Sequence, residues 1–214
     1  MITPDERRLL VYDAIAGNIE MVRQFLQSKA ADYSHCPKSG DTALGLASAF
    51  GFVDVVRELL KHDTVDVNDK PNLGGSALLL ACEAGNVDVV RELLKHDKVD
   101  VNKKTNVGKS SLILASEKGD VGVAHELMKH EKVDMNAKCS IGNTAFMWAC
   151  CEGHTEVAVA LLNHLRVDVN LRNELFFSAF DLACEKGHIK IVRDLSKDAR
   201  IVPSGFSLLF GCES

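Results

Sequence analysis

The sequence predicts an all-α fold, a solenoid of stacked helix-turn-helix units joined by hairpin loops. Two recurrences and one limit on length carry this. Val65-Asp66-Val67-Asn68 returns as Val99-Asp100-Val101-Asn102, Val133-Asp134-Met135-Asn136 and Val167-Asp168-Val169-Asn170, each 34 residues after the last. Glycines keep the same step at Gly17, Gly51, Gly85, Gly119, Gly153 and Gly187, and Val53 to Asp63 is repeated letter for letter at Val87 to Asp97. So regular a period marks equivalent units that contact their neighbours rather than one globular core. Each unit holds two helical patterns of roughly ten residues, too short to persist in water without tertiary packing.

The elements follow in order within one unit, Gly74 to Val107. Gly74 makes a turn. Ser76 then stands in a column of hydroxyls, Thr42, Ser76, Ser110, Thr144 and Ser178, placed to accept from the free N–H groups of a helix start. Leu78, Leu80, Ala81 and Cys82 form a short first helix that Gly85 ends, since glycine adopts the left-handed turn without cost. Asn86 is expected to cap a second helix over roughly Val87 to Asp97. Its apolar face is Val89, Val90, Leu93 and Leu94, with Arg91, Glu92 and Lys95 off that face. Val99 to Val107 returns the chain as an extended hairpin. The small column Ala47, Ala81, Ala115, Ala149 and Ala183 lets first helices approach closely. Cys82, Cys150 and Cys184 read as small buried packing residues beside Ser48 and Ser116.

Read with these elements, the unit resembles the ankyrin repeat, with its G-x-T-P-L-H-x-A-A-x-x-G-H, V-V-x-L-L and D-V-N segments. The matching text is Gly40 to Gly51, then Val55-Val56-Arg57-Glu58-Leu59-Leu60, then Asp66-Val67-Asn68. The resemblance covers nearly the whole chain and implies a single ankyrin-repeat domain over 1–214. Its units are 6–39 as N-terminal cap, 40–73, 74–107, 108–141, 142–175 and 176–209 as C-terminal cap, with 210–214 as tail. Tyr12, Ala14, Val22, Phe25 and Leu26 are expected to form the first unit's core. The family's proline is replaced by Ala43, Ala77, Ser111, Ala145 or Ala179. Its following histidine is replaced by Gly45, Leu79, Ile113, Met147 or Asp181, so the bonds made through that histidine are expected to be missing. Phe176 replaces the turn glycine of the last unit.

Charge and composition narrow the function. A net charge of −5 argues against general nucleic-acid binding, which gathers Lys and Arg on phosphates. No apolar run approaches a membrane span, and the N-terminus has no signal-peptide layout. Seven cysteines without a C-x-x-C pair suggest reduced thiols in a cytoplasmic or nuclear setting. The column His62, His96, His130 and His164 is set too widely to share a zinc ion, because stacked units lie about 10 Å apart and ligands about 2 Å from the metal. These rings, with His154 and His188, are read as groups near helix ends. Asp66, Asp100, Asp134 and Asp168 suggest turn hydrogen bonds rather than paired catalytic carboxylates. No cofactor or metal is expected. Cys151 is the one candidate nucleophile, and no base or cation activates it in the sequence.

The resemblance implies a non-catalytic module that binds a protein partner through its concave groove and hairpin tips, as a monomer. The matching positions are Phe50, Lys70, Leu73, Lys104, Val107, Lys109, Lys118, Lys138, Ile141, Trp148, Glu152, Arg172, Leu175 and Phe177. Lys70, Lys104, Lys138 and Arg172 form a basic column, either solvated or partner-facing. Leu73, Val107, Ile141 and Leu175 form an apolar one, either packed between hairpins or partner-facing. Together they would suit an acidic extended segment. Trp148 either fills core beside Ala183 or anchors a partner. Phe177 stands in a column with Asp41, Gly75, Lys109 and Asn143 that reads as solvent-facing. Two other readings remain: a structural or targeting segment of a longer protein, and a thiol enzyme using Cys151. The resemblance also raises asparagine hydroxylation at Asn68 and Asn102, each eight residues after a leucine.

Overall fold

The computed structural model describes residues 12–14, 16–27, 42–63, 65–69 and 75–202. All elements among the described residues are helices, and they fall into two compact units, 1–106 and 107–214. The first holds α1 (Ile19–Gln27), α2 (Ala43–Phe50), α3 (Val53–Leu59), α4 (Ala77–Ala84) and α5 (Val87–Leu94). The second holds α6 (Ser111–Lys118), α7 (Val121–Lys129), α8 (Ala145–Cys151), α9 (Thr155–Leu162), α10 (Ala179–Glu185) and α11 (Ile189–Leu195). Within each, helices pair antiparallel across a glycine turn. First helices pack on first helices, α2 on α4 and α6 on α8 on α10, and second helices on second helices, α1 on α3 on α5 and α7 on α9 on α11.

Local chemistry starts and stops each helix. Thr42, Ser110, Thr144 and Ser178 accept from the N–H three residues on, as the hydroxyl column predicts. Ser76 occupies the same place without a side-chain cap bond. Asp181, standing where the family has histidine, completes a capping box: its carboxylate accepts from the Ser178 N–H at 2.8 Å and from the Ser178 hydroxyl at 2.7 Å. Gly51, Gly85 and Gly119 end their helices with φ of 78°, 75° and 75°. The second helix of the Gly74–Val107 unit stops at Leu94, three residues short of the expected Asp97. There the chain tightens into i→i+3 bonds, with His96 N–H donating to Leu93 C=O.

The sister units are stitched by side chains that reach backwards. Asn86 makes no cap bond. Its amide donates instead to Ser48 C=O and Ala49 C=O, both at 2.8 Å, at the end of α2. His154 and His188 do the same from α9 and α11, meeting Glu117 C=O at 2.9 Å and Cys151 C=O at 2.8 Å. These rings therefore bond the preceding first helix and are not groups at the end of their own helix. Glycine is required beneath them: a Cβ on Gly153 would lie 2.6 Å from the His188 ring. Arg166 gathers the carbonyls of Met128, His130, Glu131 and Val133, the open C-terminal end of α7. Below the helices each D-x-N turn closes on its own aspartate, as with Asn136 N–H on Asp134 at 3.0 Å. The asparagine then reaches forward: Asn136 donates to Arg166 C=O and accepts from Asp168 N–H.

Burial follows the predicted faces. Val89, Val90 and Leu93 are buried and Leu94 half-buried, and the alanine and cysteine columns at Ala47, Ala81, Cys82, Ala115, Ala149 and Cys150 are sealed. In the first unit Ala14 and Val22 are core, but Tyr12 is exposed and does not join them. The side chains of Phe25 and Leu26 and residues 28–41 and 203–214 lie outside the described residues, as do Lys70, Leu73 and Gly74. Thr42→Ala should cost about 1 kcal/mol, because it removes a made cap bond. Ser76→Ala, whose hydroxyl is buried and unpaired, should be near neutral or stabilising. Paired denaturant titrations measure the contrast, and equal costs would refute it.

Candidate partner-binding surface

The tips of the hairpins are set in register by backbone bonds, and the Asn173 side chain adds bonds to the Leu175 and Phe177 N–H groups of its own tip. In residues 107–202 each hairpin closes on itself through a pair such as Asn173 N–H to Phe177 C=O at 3.0 Å, and each leans on the one before. Ser140 N–H donates to Val107 C=O, and Glu174 N–H to Ile141 C=O. This ladder brings Val107, Ile141 and Leu175 to three consecutive tips. All three are exposed, so the apolar column is not packed between hairpins. Gly108 and Gly142 hold the turns at φ of 75° and 80°.

The basic column is tethered at its later positions. Lys138 Nζ donates to Arg172 C=O at 2.8 Å, and Arg172 donates to Phe176 C=O at 2.9 Å. These main-chain carbonyls orient both side chains. Lys104 is exposed in the other unit, 1–106, as is Phe50, whose ring stacks on Phe52 with centroids 6.2 Å apart.

A second cluster lies on the first helices. Lys109, half-buried, pairs with Glu117 at 2.6 Å and sits 4.9 Å above the Trp148 ring. Trp148 is half-buried, and its Nε1–H is shielded without a partner. It is therefore neither sealed core beside Ala183 nor a free surface ring. Lys118 and Glu152 are exposed where α6 and α8 end.

Two expectations change here. The column of Gly75, Lys109, Asn143 and Phe177 is not solvent-facing: Gly75 and Asn143 are buried, and Lys109 and Phe177 are half-buried. Asn143 turns inward because its side chain accepts from Asn173 at 2.8 Å in a buried amide pair. Asn173 in turn accepts from the Phe177 N–H at 2.9 Å. The exposed aromatic is the neighbour, Phe176, at 70% exposure, held at φ 65° in the turn-glycine position. The sequence shows the lost glycine at this position without showing that the ring is exposed. The signal was there, since a turn that keeps its left-handed shape must point any new side chain outward.

Other candidates are placed plainly. Among the described residues no three His, Cys, Asp or Glu side chains gather to hold a metal, and no helix is long and apolar enough to cross a membrane. His130 and His164 close the turns after α7 and α9, accepting from Lys132 N–H and Arg166 N–H at 3.3 Å. Burial pushes the Cys150 thiol far up. Burial first, and Glu152 next, push the half-buried Cys151 thiol up as well. Asn68, one of the two asparagines in the hydroxylation pattern, already uses its amide on Lys98 C=O and Asp100 N–H.

Paired short helices, a glycine turn and a laterally bonded hairpin, recurring along the described chain, define a helical repeat protein of the solenoid class. A family model of ankyrin repeats matches three times, at residues 10–105, 65–139 and 112–203, and the chain belongs to the ankyrin repeat family. Among solved structures, 582 chains match. One is the crystal structure of EF0377, an ankyrin repeat protein, with a TM-score of 0.82 at 24% identity; the match covers 88% of this chain and 96% of that one. No curated protein matches.

Raised thiol pKa means less thiolate at neutral pH. Alkylation of Cys151 by iodoacetamide should therefore be slower than that of a free cysteine at pH 7 and should keep accelerating above pH 9. A rate plateau near pH 7 would overturn this.

Proposed function

We propose that this chain is a non-catalytic, monomeric protein-binding module whose contact surface lies on residues 107–202. The observation that carries the reading is the row of exposed tips, Val107, Ile141 and Leu175, set in register by backbone bonds and flanked by Lys138 and Arg172. Apolar residues repeated at exposed positions of a rigid ladder have no packing role inside the chain, and aligned apolar surface is what an interface uses. The family's general role in protein–protein interaction supports this reading. The half-buried Trp148 under Lys109 adds an aromatic anchor on the first-helix side, and Phe177 braces the tip from within. Lys109, Lys118 and Glu152 line the same run of first helices. Phe50 and Lys104 are the corresponding exposed residues of 1–106, where Lys70 and Leu73 would complete the two columns.

The preferred ligand is an extended segment that alternates apolar and acidic residues. Apolar side chains meet the tips, and carboxylates meet Lys138 and Arg172. Rigid backbone tips lose little freedom on binding, which favours such a complex. The raised pKa of Cys151 argues against the thiol-enzyme reading.

The test is a peptide library read by fluorescence polarisation. Acidic–apolar peptides should be selected, with affinity that falls as salt rises. Ile141→Ser should weaken binding at least about tenfold, roughly 1.4 kcal/mol, with little change in melting temperature. Selection of basic peptides, or an affinity indifferent to Ile141→Ser, would sink the proposal.

A further inference from the structure

The exposed tips Val107, Ile141 and Leu175 form a row with a fixed step. Ser140 N–H donates to Val107 C=O at 3.2 Å and Glu174 N–H to Ile141 C=O at 3.3 Å, so each tip residue follows directly on a bond to the tip before. Backbone dimensions then hold the Cα atoms of successive tips within about 10 Å of each other. The first helices of the same units, α6 on α8 on α10, pack in sequence, and packed helix axes lie about 8–10 Å apart. The hairpins cannot close further. A Cβ on Gly108 would lie 3.0 Å from Ser140 N, and one on Gly142 would lie 2.7 Å from Glu174 N. Three apolar side chains are thus offered at intervals of about 9 Å.

That interval selects among the shapes a partner segment can take. A β-strand returns a side chain to one face every second residue, at about 7 Å and then about 13 Å, and matches neither the first step nor its limit. An α-helix returns one every seven residues, at about 10.5 Å, which lies at the upper limit and needs about 15 residues to meet three tips. A polyproline-II segment has three residues per turn and rises about 3.1 Å per residue, so every third side chain falls on one edge at about 9.3 Å. Seven such residues span about 19 Å and meet all three tips. The charges suit the same shape. Lys138 and Arg172 recur once per unit beside Ile141 and Leu175, each oriented by a main-chain carbonyl. A carboxylate once per turn of the segment, on the edge next to the apolar one, matches that recurrence.

Resting on the contact surface proposed above, we infer that its partner is a polyproline-II segment of a protein, with an apolar residue at every third position and an acidic residue between. The first, fourth and seventh residues seat on the tips Val107, Ile141 and Leu175, in either chain direction. The alternation of apolar and acidic residues then has a period of three, and the units read the partner at three residues each. Proline in the remaining position holds the free segment in the bound shape, and that lowers the ordering cost of binding.

Fluorescence polarisation with labelled peptides and the full, unaltered chain tests the period, so no variant has to fold for the main comparison. The probe is the seven-residue peptide Leu-Glu-Pro-Leu-Glu-Pro-Leu. It should bind at least about tenfold more tightly than peptides of the same composition with leucines two or four residues apart. Replacing both prolines by glycine should weaken it several-fold. Equal affinity for the three spacings, with Ile141→Ser still weakening all of them, would overturn the period and leave the contact surface standing. Equal affinity for the glycine version would overturn the polyproline shape. A 15-residue peptide with leucines seven apart that gains helical circular dichroism on binding, and displaces the probe, would overturn it in favour of a helix. Failure of every peptide to bind would remove the contact surface and the period together.

Discussion

A helix of seven or eight residues has more open backbone groups than closed bonds. Four N–H groups and four C=O groups at its termini find no partner within it. All the architecture of this chain answers that shortage. Hydroxyls and one carboxylate satisfy the starts, as at Thr42, Ser110, Thr144 and Ser178 with Asp181. The ends of first helices are satisfied from the next unit, by Asn86, His154 and His188. Lateral bonding is thus the condition for having helices at all, and the spacing of sister helices is set by how far one amide or imidazole can reach. The glycine beneath each ring lets it reach that far.

That constraint divides each unit into columns with different freedom. Positions under a neighbour accept little variation: Ala47, Ala115, Ala149 and Ala183 show no exposure. Hairpin tips hold their shape through main-chain bonds, so their side chains can change without harming the ladder. Val107, Ile141 and Leu175 occupy such positions, and chemistry that differs between repeat proteins of one fold belongs there.

Much of this was legible in the sequence, and the omissions share a cause. The hydroxyl starts, glycine stops and aspartate turns are local, fixed within three residues, and the structure places them where the pattern does. Asn86, His154 and His188 were misplaced because a side chain at a helix start looks like a cap whether it bonds forward in its own helix or backward across an interface. Periodicity gives the column but not the direction of reach. In the sequence Phe177 reads as the exposed ring because its column includes charged and amide residues. The buried Asn143–Asn173 pair that turns one of them inward needs two hairpins in contact before it exists. Tyr12 fails as core for the same reason, since apolar character alone does not say which face has a neighbour.

The backward reach of these donors has a consequence for how the chain is made. At the level of the helices, the N–H groups of Asn86, His154, His188 and Arg166 come from later residues, and the carbonyls that receive them from earlier ones. A unit that has emerged from the ribosome without its successor therefore waits with open acceptors. A carbonyl has two lone pairs, and under-satisfied carbonyls are tolerated better than orphaned donors. Each new unit arrives carrying the groups that close the previous one. For these helix-end bonds, synthesis from N- to C-terminus and assembly run in the same direction; the hairpins run the other way, since the Asn136 amide must wait for the Arg166 carbonyl.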